Sequence, residues 1–358
     1  MNLLEDLFTT YYDTRKGTRS YMSQLHFEMN LEENLRLASC LNNSFIFHLF
    51  TSVCLSKTVI RAARKKRTLF GIKRLEKHIR SCTSNYSQEV YILTLEIQGY
   101  FMSINRPTLY GTLLKNLKLF ADADVKTKDG NYFKDPPELD LVDYLLLVIV
   151  FHNLIEGCLR KGSIINRERL PASKSLFHSD PKCGLLIGNL TSRLFSNVYT
   201  NSFDHFVKQQ LKLKFYGRYM DDIYLIDRSK KTLLEFIPLI CAYFYTLRIR
   251  LHSNKIKLQS YRKEVAFLRA VVKPYRRYIH NRAKRKFIQV LYHWNRLLSR
   301  YTEEAEVHKA ILFRMRSSIN SYLGMMRYYR SLKLKKKIVY KKNDDIQIQL
   351  FYWPCGKI

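Results

Sequence analysis

The chain has 358 residues, enough for a large core and two or three subdomains, and its 62 Lys and Arg against 30 Asp and Glu leave a formal charge of +32. That excess points to an anionic polymer as partner, through release of phosphate counterions, and the 25 Tyr and 21 Phe supply faces on which bases stack. Seven cysteines without Cys-x-x-Cys spacing argue against a disulfide framework or a zinc site and fit a reducing cytoplasm.

The opening residues carry Glu5 and Asp6 rather than the pattern of a secretory signal, and the longest uncharged apolar run, 144–155, is too short to span a bilayer. Membrane insertion is therefore not expected. Apolar residues at helical spacing among charges predict surface helices over 2–15 and 31–41. Residues 44–60 are almost uncharged and rich in β-branched and aromatic side chains, which suits a buried strand and a buried helix equally. A basic burst over 61–67 precedes an amphipathic helix, Gly71–Cys82, with Ile72, Leu75 and Ile79 inward and Lys73, Arg74, Lys77 and Arg80 outward.

Tyr91–Ile97 reads as a strand with one carboxylate, Glu96, at the end of an apolar run, where an unpaired acid is costly and needs a cation or a partner. Gln98–Asn105 turns into a helix with Pro107 near its start, 123–137 is a polar loop, and Asp140–Lys161 is a long apolar helix assigned to the core. A loop over 162–182 leads to Gly184–Ser192 and then a helix burying Leu194, Phe195, Val198, Phe203, Phe206 and Val207. Backbone amides at that loop-to-helix junction favour phosphate.

Phe215–Ile226 has the alternation of a half-buried β-hairpin, with Asp221 and Asp222 adjacent at its tip. Neighbouring aspartates repel each other, so beside a core they are expected to meet a cation. A helix over 231–247, a strand at Arg248–His252 and a strand pair around 265–268 and 271–272 follow. From Arg276 the chain is read as basic and helical, with a last helix at Ile319–Tyr329, as in a bundle lying on a nucleic-acid backbone.

Glu96 with Asp221 and Asp222 makes a three-carboxylate set of the kind that suits two divalent cations about 3.5–4 Å apart. One ion would lower the pKa of an attacking hydroxyl, and the other would steady the charge of a leaving oxygen. Mg²⁺ is the expected metal, with Mn²⁺ as a substitute. Ordinary salt bridges to Lys or Arg are the competing reading.

Tyr219-Met220-Asp221-Asp222 resembles the Tyr-x-Asp-Asp motif of reverse transcriptases. Leu95–Asn105, Phe151-His152-Asn153, Ile187–Ser192 and Ser321–Gly324 are similar to the reverse transcriptases of diversity-generating retroelements, and the likeness runs from about residue 64 to the C-terminus. The resemblance implies an α+β right-hand polymerase with shortened fingers: N-terminal helices and reduced fingers over 1–90, and a palm of antiparallel sheet over 91–275 that includes fingers-derived helices at 140–182. It further implies a basic helical thumb over 276–345 and a tail over 346–358. Glu96, Asp221, Asp222 and Lys255 then take catalytic positions, the three acids as metal ligands and Lys255 as a proton donor to pyrophosphate.

Ile97, Phe101, Ile187, Gly188, Tyr219 and Met220 fall at nucleotide-binding positions. Phe101 sits where an aromatic ring excludes a 2′-hydroxyl, and Ile187 where relatives carry a Gln, a change that accompanies error-prone copying. The implied activity is RNA-directed DNA synthesis. Its implied partners are a template RNA, a primer or cDNA strand, dNTPs and a small basic accessory protein, in a bacterial or phage-encoded cytoplasmic system.

Four departures from the pattern stand out. Glu96 replaces Asp, and a displacement of about 1 Å can cost ~10²-fold in rate. Leu185-Leu186 replaces Leu-Pro, and Phe267-Leu268-Arg269 replaces Phe-Leu-Gly. No counterpart of the fingers strands that clamp a triphosphate is found, which leaves Arg61, Lys65 or Arg67 as substitutes. Two alternatives follow: an inactive RNA-binding protein on the same scaffold, or a reverse transcriptase of the retron, group II intron or phage-defence type.

Overall fold

The computed structural model describes residues 68–121, 139–153, 155, 171, 173, 175–187, 190–299 and 309–334. The helices expected at 2–15 and 31–41, the stretch 44–60, the basic burst 61–67, the polar loop 123–137, Gly188 and the tail 346–358 lie outside them. The described residues form two compact units, one within 95–223 and 234–256, the other within 68–94, 224–233 and 257–334. Among the described residues no helix is long and apolar enough to cross a membrane.

Helix α1, Thr68–Cys82, buries Ile72, Leu75, Ile79 and Cys82, one stripe at the expected spacing. Strand β1, Tyr91–Glu96, buries Ile92, Leu93 and Leu95. It is followed by a single helical turn, α2 (Tyr100–Ser103), and by α3 (Arg106–Ala121), which starts with Pro107 in its first turn, where proline's missing N–H costs nothing. Helix α4, Leu139–Phe151, is shorter than the sequence suggested, because 152, 153 and 155 are irregular. Nor is it core throughout: Val142, Leu145, Leu146 and Val150 are buried while Tyr144, Leu147, Val148 and Phe151 are exposed.

Helices α5 (Leu190–Tyr199) and α6 (Asn201–His205) continue into a π-turn at Phe206–Gln210, then the hairpin of β2 (Phe215–Tyr219) and β3 (Asp222–Asp227). Around them Phe203 packs on Phe244 at 4.2 Å between ring centroids, with Tyr216 edge-on at 6.1 Å. Phe244 belongs to α7, Lys230–Thr246. The strand expected at Arg248–His252 is only an isolated bridge between Leu251 and Ile97.

Strand β4, Lys257–Ser260, pairs antiparallel with β1, Leu93 opposite Leu258, and the hydrogen-bonded order of this sheet is β2-β3-β1-β4. A second, antiparallel sheet runs β5 (Val265–Phe267), β6 (Ala270–Lys273), β7 (Arg276–Ile279). Residues 276–279 are therefore strand, where helix was expected: Arg277 pairs with Val272 and Tyr278 with Val271, and these ladder bonds outweigh the local preference of a basic run. Helices α8 (Asn281–Ser299) and α9 (Lys309–Met326) share a core of Phe287, Leu291, Leu298, Met315 and Ile319, with Phe287 stacked on Tyr322 at 5.0 Å. The last helix thus begins about ten residues before the expected Ile319.

Candidate active site

The hairpin delivers Asp221 and Asp222 at a two-residue turn whose first member, Met220, has a left-handed backbone at φ 55°. For a residue with a Cβ this conformation costs about 1–2 kcal/mol, so something must hold it. The holder is Arg218, fully buried in β2. Its Nη1 donates to the Met220 carbonyl at 3.4 Å and to Asn197 Oδ1 at 3.1 Å. Its Nε and Nη2 donate to the two oxygens of Asp204 at 3.0 and 2.6 Å. Asp204 is also fully buried and accepts the Tyr216 hydroxyl at 2.6 Å. The charge pair is thus fully hydrogen-bonded, the condition under which a buried ion pair is tolerated.

Strand β1 brings Glu96 to the same place. The N–H of Ile97 donates to the Asp221 carbonyl at 3.1 Å, and the N–H of His252 donates to the Glu96 carbonyl at 2.8 Å. Burial raises the Asp221 carboxyl above its ordinary range, and the charge of Glu96 adds to this. Asp222 is pushed up to about 7, first by burial, then by Asp221 and Glu96, with Lys255 pulling the other way. The three acids therefore share one electrostatic neighbourhood.

Among the described residues no group of three His, Cys, Asp or Glu is placed to hold a metal. The Lys255 ammonium lies on Glu96 Oε1 instead, in a part-exposed ion pair presented by the 3₁₀ turn Ser253–Lys255. The donor chemistry of Asp221 and Asp222, crowded hard oxygens, fits a divalent cation; Glu96 is engaged by its lysine.

The other expected site residues are placed as follows. Ile97 has its side chain in the core, so its contribution to the site is the backbone N–H. Phe101 is half-buried, edge-on to Tyr100 at 5.4 Å, and its carbonyl accepts the Leu185 N–H at 2.8 Å. Ile187 is 67 % exposed. Tyr219 is half-buried and Met220 buried, while Gly188 lies outside the described residues.

Arg218, Asp204 and Asn197 were missed by sequence reasoning. The signal was an arginine inside the apolar arm Phe215–Tyr219, which must have a buried carboxylate partner, and Asp204 stands beside Phe203 and Phe206.

No family model matches the sequence, and no curated protein matches it. Among solved structures it is similar to telomerase from Candida albicans in complex with the TWJ fragment of telomeric RNA, at 10 % identity and TM-score 0.42, over 89 % of this chain and 55 % of that one. Telomerase from Candida tropicalis with the same kind of fragment gives 12 % identity and 0.42, over 87 % and 51 %. The apo Candida tropicalis enzyme truncated from its C-terminal domain gives 10 % and 0.39, over 73 % and 46 %. This chain spans about half the length of those chains, and TM-scores below 0.5 decide nothing about its activity.

Proposed function

We propose that this chain is an RNA-directed DNA polymerase whose reacting end is the Asp221–Asp222 turn. One observation carries the reading: two adjacent carboxylates at a hairpin tip, tied through Ile97 N–H to the strand that ends in Glu96, with Asp222 raised to about 7. Acids raised in this way, first by burial and then by neighbouring charge, are commonly functional, and carboxylate oxygens are the donors that Mg²⁺ and Mn²⁺ take. Asp221 and Asp222 would hold the ions, joined by Glu96 when its carboxylate leaves Lys255. Bound there, divalent cations supply activation of a 3′-hydroxyl and neutralisation of the pyrophosphate charge.

The chain's own groups do the remaining work. Phe101 stands beside the incoming sugar. Ile187 offers the nucleotide an apolar contact without hydrogen bonds, which fits low-fidelity copying of the diversity-generating kind. Lys255 Nζ gives its proton to the leaving pyrophosphate. The basic surface takes template RNA and primer, with a small basic accessory protein as a further partner in a cytoplasmic setting.

The test is extension of a primer on an RNA template by purified protein with dNTPs and Mg²⁺ or Mn²⁺. Extension is expected, and Asp221→Ala with Asp222→Ala should abolish it; equal product from both proteins rejects the reading.

A second reading, an RNA-binding protein without catalysis, is favoured by the Lys255–Glu96 ion pair, which satisfies one of the three acids internally. It predicts salt-sensitive RNA binding that survives loss of both aspartates, since affinity would come from Lys and Arg on phosphates.

A further inference from the structure

Beside the end of β1 lies a pocket of about 300 Å³ whose polar lining includes Gln98, Ser103, His178, Ser179, Arg248 and Arg250. Among the described residues no carboxylate lines it. Neither arginine has an ion-pair partner among the described residues, and both side chains are exposed.

The backbone explains why these groups meet. Gln98 N–H donates to the Arg250 carbonyl at 2.9 Å and Ile97 bridges Leu251, so Gln98 stands opposite Arg250 as Glu96 stands opposite His252. Alternation then puts Gln98 and Arg250 on the face that Glu96 uses, with Ile97 turned into the core. Gly99 closes the floor: it is left-handed at φ 56°, and a Cβ there would stand 2.5 Å from the Ser173 carbonyl oxygen. Only glycine lets the Ser173 carbonyl come down against this turn.

Arg248 adds an independent sign. Helix α7 ends in a Schellman motif, with Ile249 N–H donating to the Phe244 carbonyl and Arg248 N–H to the Tyr245 carbonyl, each at 3.0 Å. Arg248 is the left-handed residue of that motif, at φ 54°, the position where glycine is the strain-free choice. A long cationic side chain kept at a strained position, without a carboxylate partner among the described residues, points to a ligand.

We propose that this pocket seats the polyphosphate of a nucleoside triphosphate, with the Arg248 and Arg250 guanidiniums, the Ser103 and Ser179 hydroxyls and the Gln98 amide as donors. The nucleoside part rests on the polymerase reading above; the anion chemistry does not. Guanidinium forks match phosphate oxygens in geometry and keep their charge at any working pH. The residues next to Glu96 thereby hold the leaving group of the reaction, a role for which the sequence offered only Arg61, Lys65 or Arg67.

The probe is inorganic tripolyphosphate, titrated into the full chain by calorimetry in EDTA and moderate salt, with Arg248→Gly, Arg250→Ala and, as control, Arg276→Ala, an exposed arginine of β7. Each pocket variant is expected to weaken binding about tenfold or more, the control to leave it unchanged, and Arg248→Gly to keep or raise the Tm. Unchanged affinity in the pocket variants, an equal loss in the control, or a loss that comes only with a lower Tm overturns the proposal. So does displacement of bound tripolyphosphate by an RNA oligonucleotide but not by a dNTP, which would assign the arginines to a nucleic-acid strand. Asp221→Asn with Asp222→Asn separates the two readings. Tripolyphosphate binding without primer extension in any protein sinks the polymerase reading alone, and extension without pocket-dependent binding sinks the seat alone.

Discussion

Arg218 Nη1 donates to the main-chain carbonyl of Met220 at 3.4 Å, so a fully buried charge in β2 holds the residue that starts the Asp221–Asp222 turn. The same guanidinium is pinned by both oxygens of Asp204. Removing one partner of such a pair leaves the other charged and unpaired in the core, a loss of about 3–5 kcal/mol. Asp204→Asn should show this in urea denaturation. The double change Arg218→Met, Asp204→Leu should recover most of the stability while leaving the Met220 carbonyl without its donor. A refolded but inactive double variant would make Arg218 a positioning residue. If the double variant extends primers like the parent, the turn does not depend on this hydrogen bond.

A pH dependence follows from Asp222. Its carboxyl is raised from 3.8 to about 7, mainly by burial and then by Asp221 and Glu96. Between those values the folded chain binds a proton that the unfolded chain has released. The stability contribution is therefore full below pH 3.8 and is lost as pH rises through about 7. Without divalent cations the Tm should fall between pH 5 and pH 8, by no more than a few kcal/mol in stability terms. Asp222→Asn should flatten that slope, and Mg²⁺ or Mn²⁺ should restore stability at the alkaline end. A Tm that rises across this window in EDTA contradicts the raised carboxyl of Asp222.

The hairpin and the strand ending in Glu96 were legible because a period of two survives in Phe215–Ile226 and Tyr91–Ile97, and α1 because its apolar residues recur at helical spacing. What was not legible is long-range. Lys255 meets Glu96 across 159 positions, and Arg218 finds Asp204 on a preceding helix. Strand β7 is basic, and only its pairing with β6 makes it a strand. Beyond Asp140 and Asp143 helix α4 is apolar, so periodicity gave no hint that Tyr144 and Leu147 are exposed.

The Lys255–Glu96 pair makes opposite predictions for stability and for metal. Its side chains are 41 % and 27 % exposed, so losing the pair should cost only about 0–1 kcal/mol. Lys255→Met should therefore leave the Tm in EDTA nearly unchanged. It should also free a carboxylate, so that Mn²⁺ raises the Tm more than it does in the parent. If Lys255 also protonates the leaving pyrophosphate, the same variant should bind Mn²⁺ more tightly and yet turn over more slowly. An identical Mn²⁺ response in both proteins removes Glu96 from the set of metal ligands. Glu96→Asp is the complementary change: it shortens the reach to Lys255, and a large gain in synthesis would mark an enzyme held back by its glutamate.

Gly99→Ala tests how the floor of the arginine pocket is built. The left-handed backbone at φ 56° costs an alanine about 1–2 kcal/mol. The new methyl would also stand 2.5 Å from a backbone carbonyl oxygen, that of Ser173, which cannot swing away as a side-chain tip would. Met102 and Ser103 both donate their N–H groups to the Gly99 carbonyl, so relief by moving Gly99 disturbs the turn that carries Ser103. The expected result is a loss of more than about 2 kcal/mol in stability together with weaker tripolyphosphate binding, since Ser173 must lift. Gly111, on α3, has open space around its missing Cβ, and Gly111→Ala should be neutral or stabilising by up to about 1 kcal/mol. Equal stability of the two variants would mean that Ser173 yields without resistance and that the pocket floor is not set by Gly99.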